Sequence, residues 1–247
     1  MINIKISQRT HKTINLEGKK EIGCLLVHGF TGTPGEMEPL AKFLNSQGYA
    51  VYAPLLAGHG TSPEDLSQTS AEEILESARR GLNKISHCKK KVLMGLSMGG
   101  LISGLLARDG DVDGLVFMGT PVYMVDRSIY LSPFIKPLKP YIKKDSSNND
   151  YPLEPTTYNW IPTRAVSQLL RLRKDFIASL PEITAPSLIL HGAYDEKVKV
   201  ESMDYIYHNL GSEKKAQVLL EASHHIVTLD KERNKVFQNV EKFLTGL

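Results

Sequence analysis

Residues 92–100 read VLMGLSMGG, and Ser97 stands there among Gly95, Gly99 and Gly100. A serine hydroxyl is a weak nucleophile, useful only when a base takes its proton and an acid orients that base. Three glycines in six positions are out of place in a plain strand or helix, where each costs about 0.5–1 kcal/mol relative to alanine. They fit a strand that turns sharply into a helix. Side chains two residues before and two after the serine would collide in such a turn, and Gly95 and Gly99 remove them. The turn lifts the hydroxyl above the strand's C-terminal end. The helix that follows aims its first amides and the positive end of its dipole at the same spot, where negative charge is stabilised. The bare G-x-S-x-G pattern also arises by chance, so its weight comes from context: an apolar run before it and a helical pattern after it.

The base and its orienting acid are expected after the serine, in the order Ser, acid, His, each in a loop that follows a later strand. After the apolar run ending at Leu190, the loop HGAYDEK offers Asp195 and Glu196, and Asp195 is the preferred acid. Asp204 falls in a helical pattern and reads as a solvated face. After the run ending at Leu220, the loop EASHHIVTLD offers His224 and His225. Successive side chains point apart in extended backbone, so one of the two faces the serine while the other turns away. His208 sits on a predicted helix, and His11, His28, His59, His87 and His191 precede the required position, so these read as structural or surface histidines. An oxyanion hole needs two backbone amides. Met98, next after the nucleophile, supplies one, and the loop VHGFTGTP after an early strand supplies the other, at Phe30.

These loops need a scaffold, and the chain reads as one. Residues 22–27, 50–53, 91–95, 114–118, 187–190 and 216–220 are short apolar runs without strict alternation, as in parallel strands covered on both faces. Between them lie helical patterns over residues 98–108, 164–180, 198–209 and 230–244. Ser70-Ala71-Glu72-Glu73 is a capping-box signature that opens a helix to about Ile85. A further helix follows Thr33-Pro34-Gly35-Glu36, with its regular part beginning near Met37 because Pro39 belongs in a first turn. Strand-then-helix repetition means an α/β fold with a mostly parallel sheet and helices on both faces.

One segment breaks the rhythm. Residues 121–162 carry Pro133, Pro137, Pro140, Pro152 and Pro155, too closely spaced for one long helix. They also carry Tyr123, Tyr130, Phe134, Tyr141, Tyr151, Tyr158 and Trp160. A long aromatic insertion in a compact domain reads as a cap packed over a site. Residues 1–120 and 163–247 then form the core and 121–162 the cap, built of short helices.

Composition narrows the classes. A net charge of +3 with interleaved acids and bases, and no basic run longer than Lys89-Lys90-Lys91, gives no electrostatic footprint for nucleic acid. Two cysteines are too few for a disulfide framework and fit a reducing compartment. The first twenty residues hold no apolar core of a signal peptide, and no run approaches the ~20 residues of a membrane span. The expectation is a cytoplasmic globular protein. Lys136, Lys139, Lys143 and Lys144 accompany the cap's apolar residues, a pattern also found in surfaces that touch membranes, but a solvated cap surface is the preferred reading.

The segments LLVHGFTGTP, AGHGTSPEDL, GLSMGG, the YDE loop and HHIVTLD resemble the small bacterial carboxylesterases and monoacylglycerol lipases of the α/β-hydrolase superfamily. The resemblance covers nearly the whole chain in segment order and weakens from about Val122 to Trp160. It implies an α/β-hydrolase fold with a small cap, no metal or other cofactor, and cleavage of small carboxylic esters through an acyl-enzyme. It implies Ser97 as nucleophile, Asp195 as acid and Phe30 and Met98 as oxyanion amides. The family's histidine lies three positions before Thr-Leu-Asp, which selects His225 over His224, and His59 of the GHG loop stays outside the triad. The chain departs from the family at 224, where a smaller or aromatic residue is more frequent. A carboxylesterase for short to medium acyl chains and a monoacylglycerol lipase are both compatible with these residues. A non-catalytic binding protein would usually have lost a triad member, and a metallohydrolase built on His224, His225 and Asp195 would lack HExxH-type spacing.

Overall fold

The computed structural model describes residues 11–131, 140–143, 151–153, 158 and 160–247. Its centre is a seven-stranded sheet made of β1 (Ile14–Leu16), β2 (Ile22–Val27), β3 (Ala50–Ala53), β4 (Lys90–Leu96), β5 (Gly114–Met118), β8 (Ser187–Gly192) and β9 (Lys215–Leu220). Across the sheet the order is β1-β3-β2-β4-β5-β8-β9, parallel throughout except that β1 runs antiparallel to β3.

The strand sequences dictate this layering. Because side chains alternate across a strand, one face of the sheet shows Leu25, Val27, Leu93, Leu115, Phe117 and Ile189. The other shows Cys24, Leu26, Val92, Met94, Val116, Met118, Leu188 and Leu190. Both sets are apolar, so both faces need helices. The first packs against α3 (Ala71–Lys84), α4 (Met98–Asp109), α5 (Thr163–Ser179) and α6 (Glu201–Asn209). The second packs against α1 (Glu38–Ser46) and α7 (Arg233–Thr245). Each fully buried Leu, Ile, Val or Phe contributes about 1.5–3 kcal/mol, so these two layers are the main source of stability.

Helix starts follow local chemistry. The Ser70 capping box opens α3: Glu73 N donates to Ser70 Oγ at 3.2 Å and Ser70 N to Glu73 Oε2 at 2.8 Å. A 3₁₀ turn over Pro34–Glu36 precedes α1, which begins at Glu38 with Pro39 in its first turn. Helix α4 buries nearly its whole length against β2, β4 and β5, which fixes the point at which it leaves β4. A short helix over Pro63–Gln68 (α2), capped by Ser62, escaped the sequence reading because only Leu66 on it is buried and it has no apolar stripe.

Within 121–162, the described residues form a 3₁₀ turn at Arg127–Leu131 and a two-stranded ribbon of β6 (Tyr141–Lys143) with β7 (Trp160–Pro162). The short cap helices expected from sequence fall mostly on residues 132–139, 144–150 and 154–157, which lie outside the described residues. Tyr158 ties this segment to the core: its hydroxyl accepts from Thr61 N at 2.9 Å and approaches Gly58 O at 3.3 Å.

Candidate active site

In open parallel sheets the loops at the C-terminal strand ends hold ligands, and Ser97, Phe30, Asp195 and His225 all follow such strand ends. Strand β4 ends at Leu96, and Ser97 has φ 53° and ψ −119° before α4 begins at Met98. A positive φ at a residue with a Cβ is strained, by about 1–3 kcal/mol, and persists only where the surroundings enforce it. Two hydrogen bonds enforce it here: Ser97 N donates to Met118 O at 2.8 Å, and Gly100 N to Ser97 O at 2.9 Å. The packing explains the glycines. A Cβ on Gly95 would overlap the backbone of Gly99 and Gly100, and one on Gly99 would overlap the Val27 carbonyl. As the first residue of α4, Met98 has an amide without an intrahelical acceptor.

Strand β8 leads to the candidate acid. The Asp195 side chain is 1% exposed. Its Oδ1 accepts from Lys197 N at 2.9 Å and Val198 N at 2.8 Å, which orients the carboxylate. Its Oδ2 accepts from His225 Nδ1 at 2.7 Å. Asp195 only accepts when ionised, so Nδ1 carries the proton and His225 Nε2 keeps a lone pair. His225 is 12% exposed, in the loop after β9. Gly119 follows Met118, whose carbonyl accepts the Ser97 amide, and a Cβ on Gly119 would sit 3.3 Å from both Asp195 Oδ2 and His225 Nδ1.

Burial and pairing oppose each other at both groups. Burial alone would raise Asp195, but the charge and hydrogen bond of His225, with His191 and Val198 N, hold it below the ordinary carboxylate value. Burial alone would lower His225, but the charge and hydrogen bond of Asp195, then Glu196 and Glu36, raise it above the ordinary imidazole value.

The neighbouring histidine goes elsewhere. His224 Nδ1 donates to Asp230 Oδ2 at 3.0 Å, and the same oxygen accepts His224 N at 2.6 Å. Asp230 is fully buried, while His224 remains 24% exposed between the rings of Tyr151 and Tyr194. Glu196 approaches the backbone of His225 rather than its ring, with Oε2 3.4 Å from N.

The loop after β2 runs beside Ser97 and carries Phe30. Its backbone is held by the positive φ of 63° at Thr31 and a hydrogen bond from Gly32 N to Gly29 O at 3.2 Å. His28, fully buried at its start, accepts Leu56 N on Nε2 at 3.2 Å. Burial and the nearby His59 push its pKa down to about 3. His59 is pushed down to about 4 by burial, and its Nδ1 donates to Ala57 O at 2.9 Å. Both are neutral at pH 7 and brace the loop.

Two groups at the site had no signal in the sequence. His191 was set aside there as preceding the required position, yet its Nε2 lies 3.4 Å from Asp195 Oδ2 and 3.2 Å from Val198 O. Both neighbours are acceptors, so Nε2 carries a proton shared between them. Glu36, read as part of a helix start, is 4% exposed and accepts Gly29 N on Oε2 at 3.1 Å. Among the described residues no cluster of His, Cys, Asp and Glu is arranged to hold a metal ion. No helix among them is long and apolar enough to cross a membrane.

Comparison with known proteins agrees with this fold. The chain is 32% identical over 226 residues to a thermostable monoacylglycerol lipase from Bacillus sp. (strain H-257), covering 90% of each chain. It is 29% identical over 226 residues to a carboxylesterase from Bacillus subtilis (strain 168), covering 90% of this chain and 92% of the relative. Among solved structures, a chain from the work on the metagenome-derived lipolytic enzymes LipS and LipT superposes with a TM-score of 0.90 at 25% identity, covering 96% of this chain and 98% of that one. Residues 18–232 match the family described as serine aminopeptidase, S33, and with its α/β-hydrolase architecture the chain belongs to that family.

Proposed function

We propose that the protein is a serine hydrolase cleaving carboxylic esters, with Ser97, His225 and Asp195 as its triad. The observation that carries this reading is the buried Asp195–His225 pair, at 2.7 Å, set in loops beside a strained serine at the head of a helix. Ser97 Oγ attacks the ester carbonyl while His225 Nε2 takes its proton. Negative charge develops on the carbonyl oxygen, and the amides of Phe30 and Met98 stabilise it. The imidazolium formed on His225 is held by Asp195, then gives its proton to the departing alcohol. Water, deprotonated by the same imidazole, attacks the acyl-serine and releases the carboxylic acid. No metal or cofactor enters these steps.

The two curated relatives differ in the substrate their names state, one a carboxylesterase and the other a monoacylglycerol lipase. We assign the chain to short- and medium-chain esters, with monoacylglycerols as the alternative. Residues 121–162 would roof the acyl pocket, since an acyl chain needs apolar walls that the sheet alone does not supply. Rates over p-nitrophenyl esters from acetate to palmitate, run beside 1-monoacylglycerols of matched acyl length, test this. The assignment expects kcat/KM to peak at or below about ten carbons and to exceed that for the matched monoacylglycerol. A monoacylglycerol favoured at every length would replace it with the alternative, and no hydrolysis of either would overturn ester cleavage.

A further inference from the structure

Glu36 is a buried acid with no part in the steps above. Taking an ionised carboxylate out of water costs several kcal/mol unless hydrogen bonds compensate, so a side chain that is 4% exposed beside a nucleophile calls for a physical reason. Its position supplies one. Oε2 accepts the Gly29 amide at 3.1 Å, one residue before Phe30. A Cβ built on Gly29 would sit 3.3 Å from Oε2 and 3.5 Å from Ser97 Cβ, so carboxylate and nucleophile flank the same short piece of backbone. A Cβ on Gly32 would overlap the carboxylate itself, so the loop closes on this side chain from both ends. The backbone of Glu36 is anchored separately: Thr228 Oγ1, three residues beyond His225 and fully buried, donates to Glu36 O at 2.6 Å.

We infer that Glu36 is a positioning residue of the oxyanion hole, its carboxylate holding the Gly29–Gly32 backbone so that the Phe30 amide meets the developing oxyanion. The inference rests on the proposed role of Phe30. Glu36 touches no reacting atom and acts through the backbone of Gly29. An oxyanion donor contributes in the transition state far more than in the ground state, so its displacement lowers kcat rather than raising KM. Removing such a donor outright costs about 10²–10³ in kcat, and a donor that is present but misplaced costs a part of that.

Three variants test it: Glu36→Ala, Glu36→Gln and Gly32→Ala. Glu36→Ala should lower kcat for a short-chain p-nitrophenyl ester by about 10- to 100-fold with KM within about two-fold. Glu36→Gln keeps an oxygen acceptor for Gly29 N and should recover most of that loss. Gly32→Ala pushes the carboxylate aside with Glu36 still present, so it should repeat the kcat defect. Combined with Glu36→Ala, it should add little further, because both act on one contact. If Glu36→Ala does not fold, Gly32→Ala and Glu36→Gln still decide. Wild-type kcat in both Glu36→Ala and Gly32→Ala would overturn the positioning role, as would a loss in KM alone or a Glu36→Gln defect as deep as that of alanine. Ser97→Ala measured alongside separates the two failures. If it is inactive while the Glu36 and Gly32 variants are normal, only the positioning role fails; if it is active, the serine mechanism itself fails.

Discussion

Ser97→Ala should lower kcat for ester hydrolysis by on the order of 10⁴–10⁶ while leaving the fold and melting temperature close to wild type. The hydroxyl is the bond-forming atom in the proposed reaction, and nothing beside it can substitute. Residual turnover would come from the oxyanion amides and binding alone, about 10³–10⁴ over the uncatalysed rate. The fold should tolerate the change because the elbow is held by backbone contacts, Ser97 N to Met118 O and Gly100 N to Ser97 O, which alanine preserves. The positive φ at 97 is no worse for alanine than for serine. Steady-state rates with circular dichroism on both proteins check the prediction, and near-normal hydrolysis by a folded variant would remove serine from the chemistry.

The second large effect separates the paired histidines. His225→Ala should lose kcat about as severely as Ser97→Ala, because members of a triad act as a unit. His224→Ala should retain activity within about ten-fold, since its ring is committed to Asp230 and the tyrosines around it. Its cost should fall on stability instead, because Asp230 is buried and would lose one of its donors. The pH profile gives an independent check. The base acts in its neutral form and Asp195 raises its pKa, so kcat/KM in the wild type should fall as pH drops through a value above the ordinary 6.5. Asp195→Asn removes that charge and should move the acid limb to lower pH, together with a deep loss of rate. An unchanged limb in Asp195→Asn would show that the Asp195–His225 pair does not govern the reaction.

Much of this architecture was legible before any coordinates because its signals are local. Strands β2, β4, β5 and β8 are apolar on both faces, so continuous runs such as IGCLLV and GLVFM announce them. The elbow is legible because a tight turn permits few residue types, and the Ser70 capping box because its two hydrogen bonds close within four residues. Strand β1 was missed: it is three residues long, half-exposed and recruited only by pairing with β3. The eight residues from Gly29 to Glu36 carry no periodicity that would predict a carboxylate folded back onto its own loop. His191 was equally silent, since a histidine inside an apolar strand looks the same whether it faces a carboxylate or solvent. The choice between His224 and His225 needed tertiary partners too, and the structure gives each its own aspartate, Asp230 and Asp195.

The central claim is that Ser97 becomes covalently acylated, and active-site phosphonylation tests it most directly. The wild-type protein would be incubated with a fluorophosphonate ester until hydrolysis stops, then examined by intact mass and peptide mapping. The account predicts one phosphonyl adduct per chain, on Ser97, accumulating in step with the loss of esterase activity and absent from Ser97→Ala. An adduct on another residue, or complete inactivation without modification of Ser97, would contradict it.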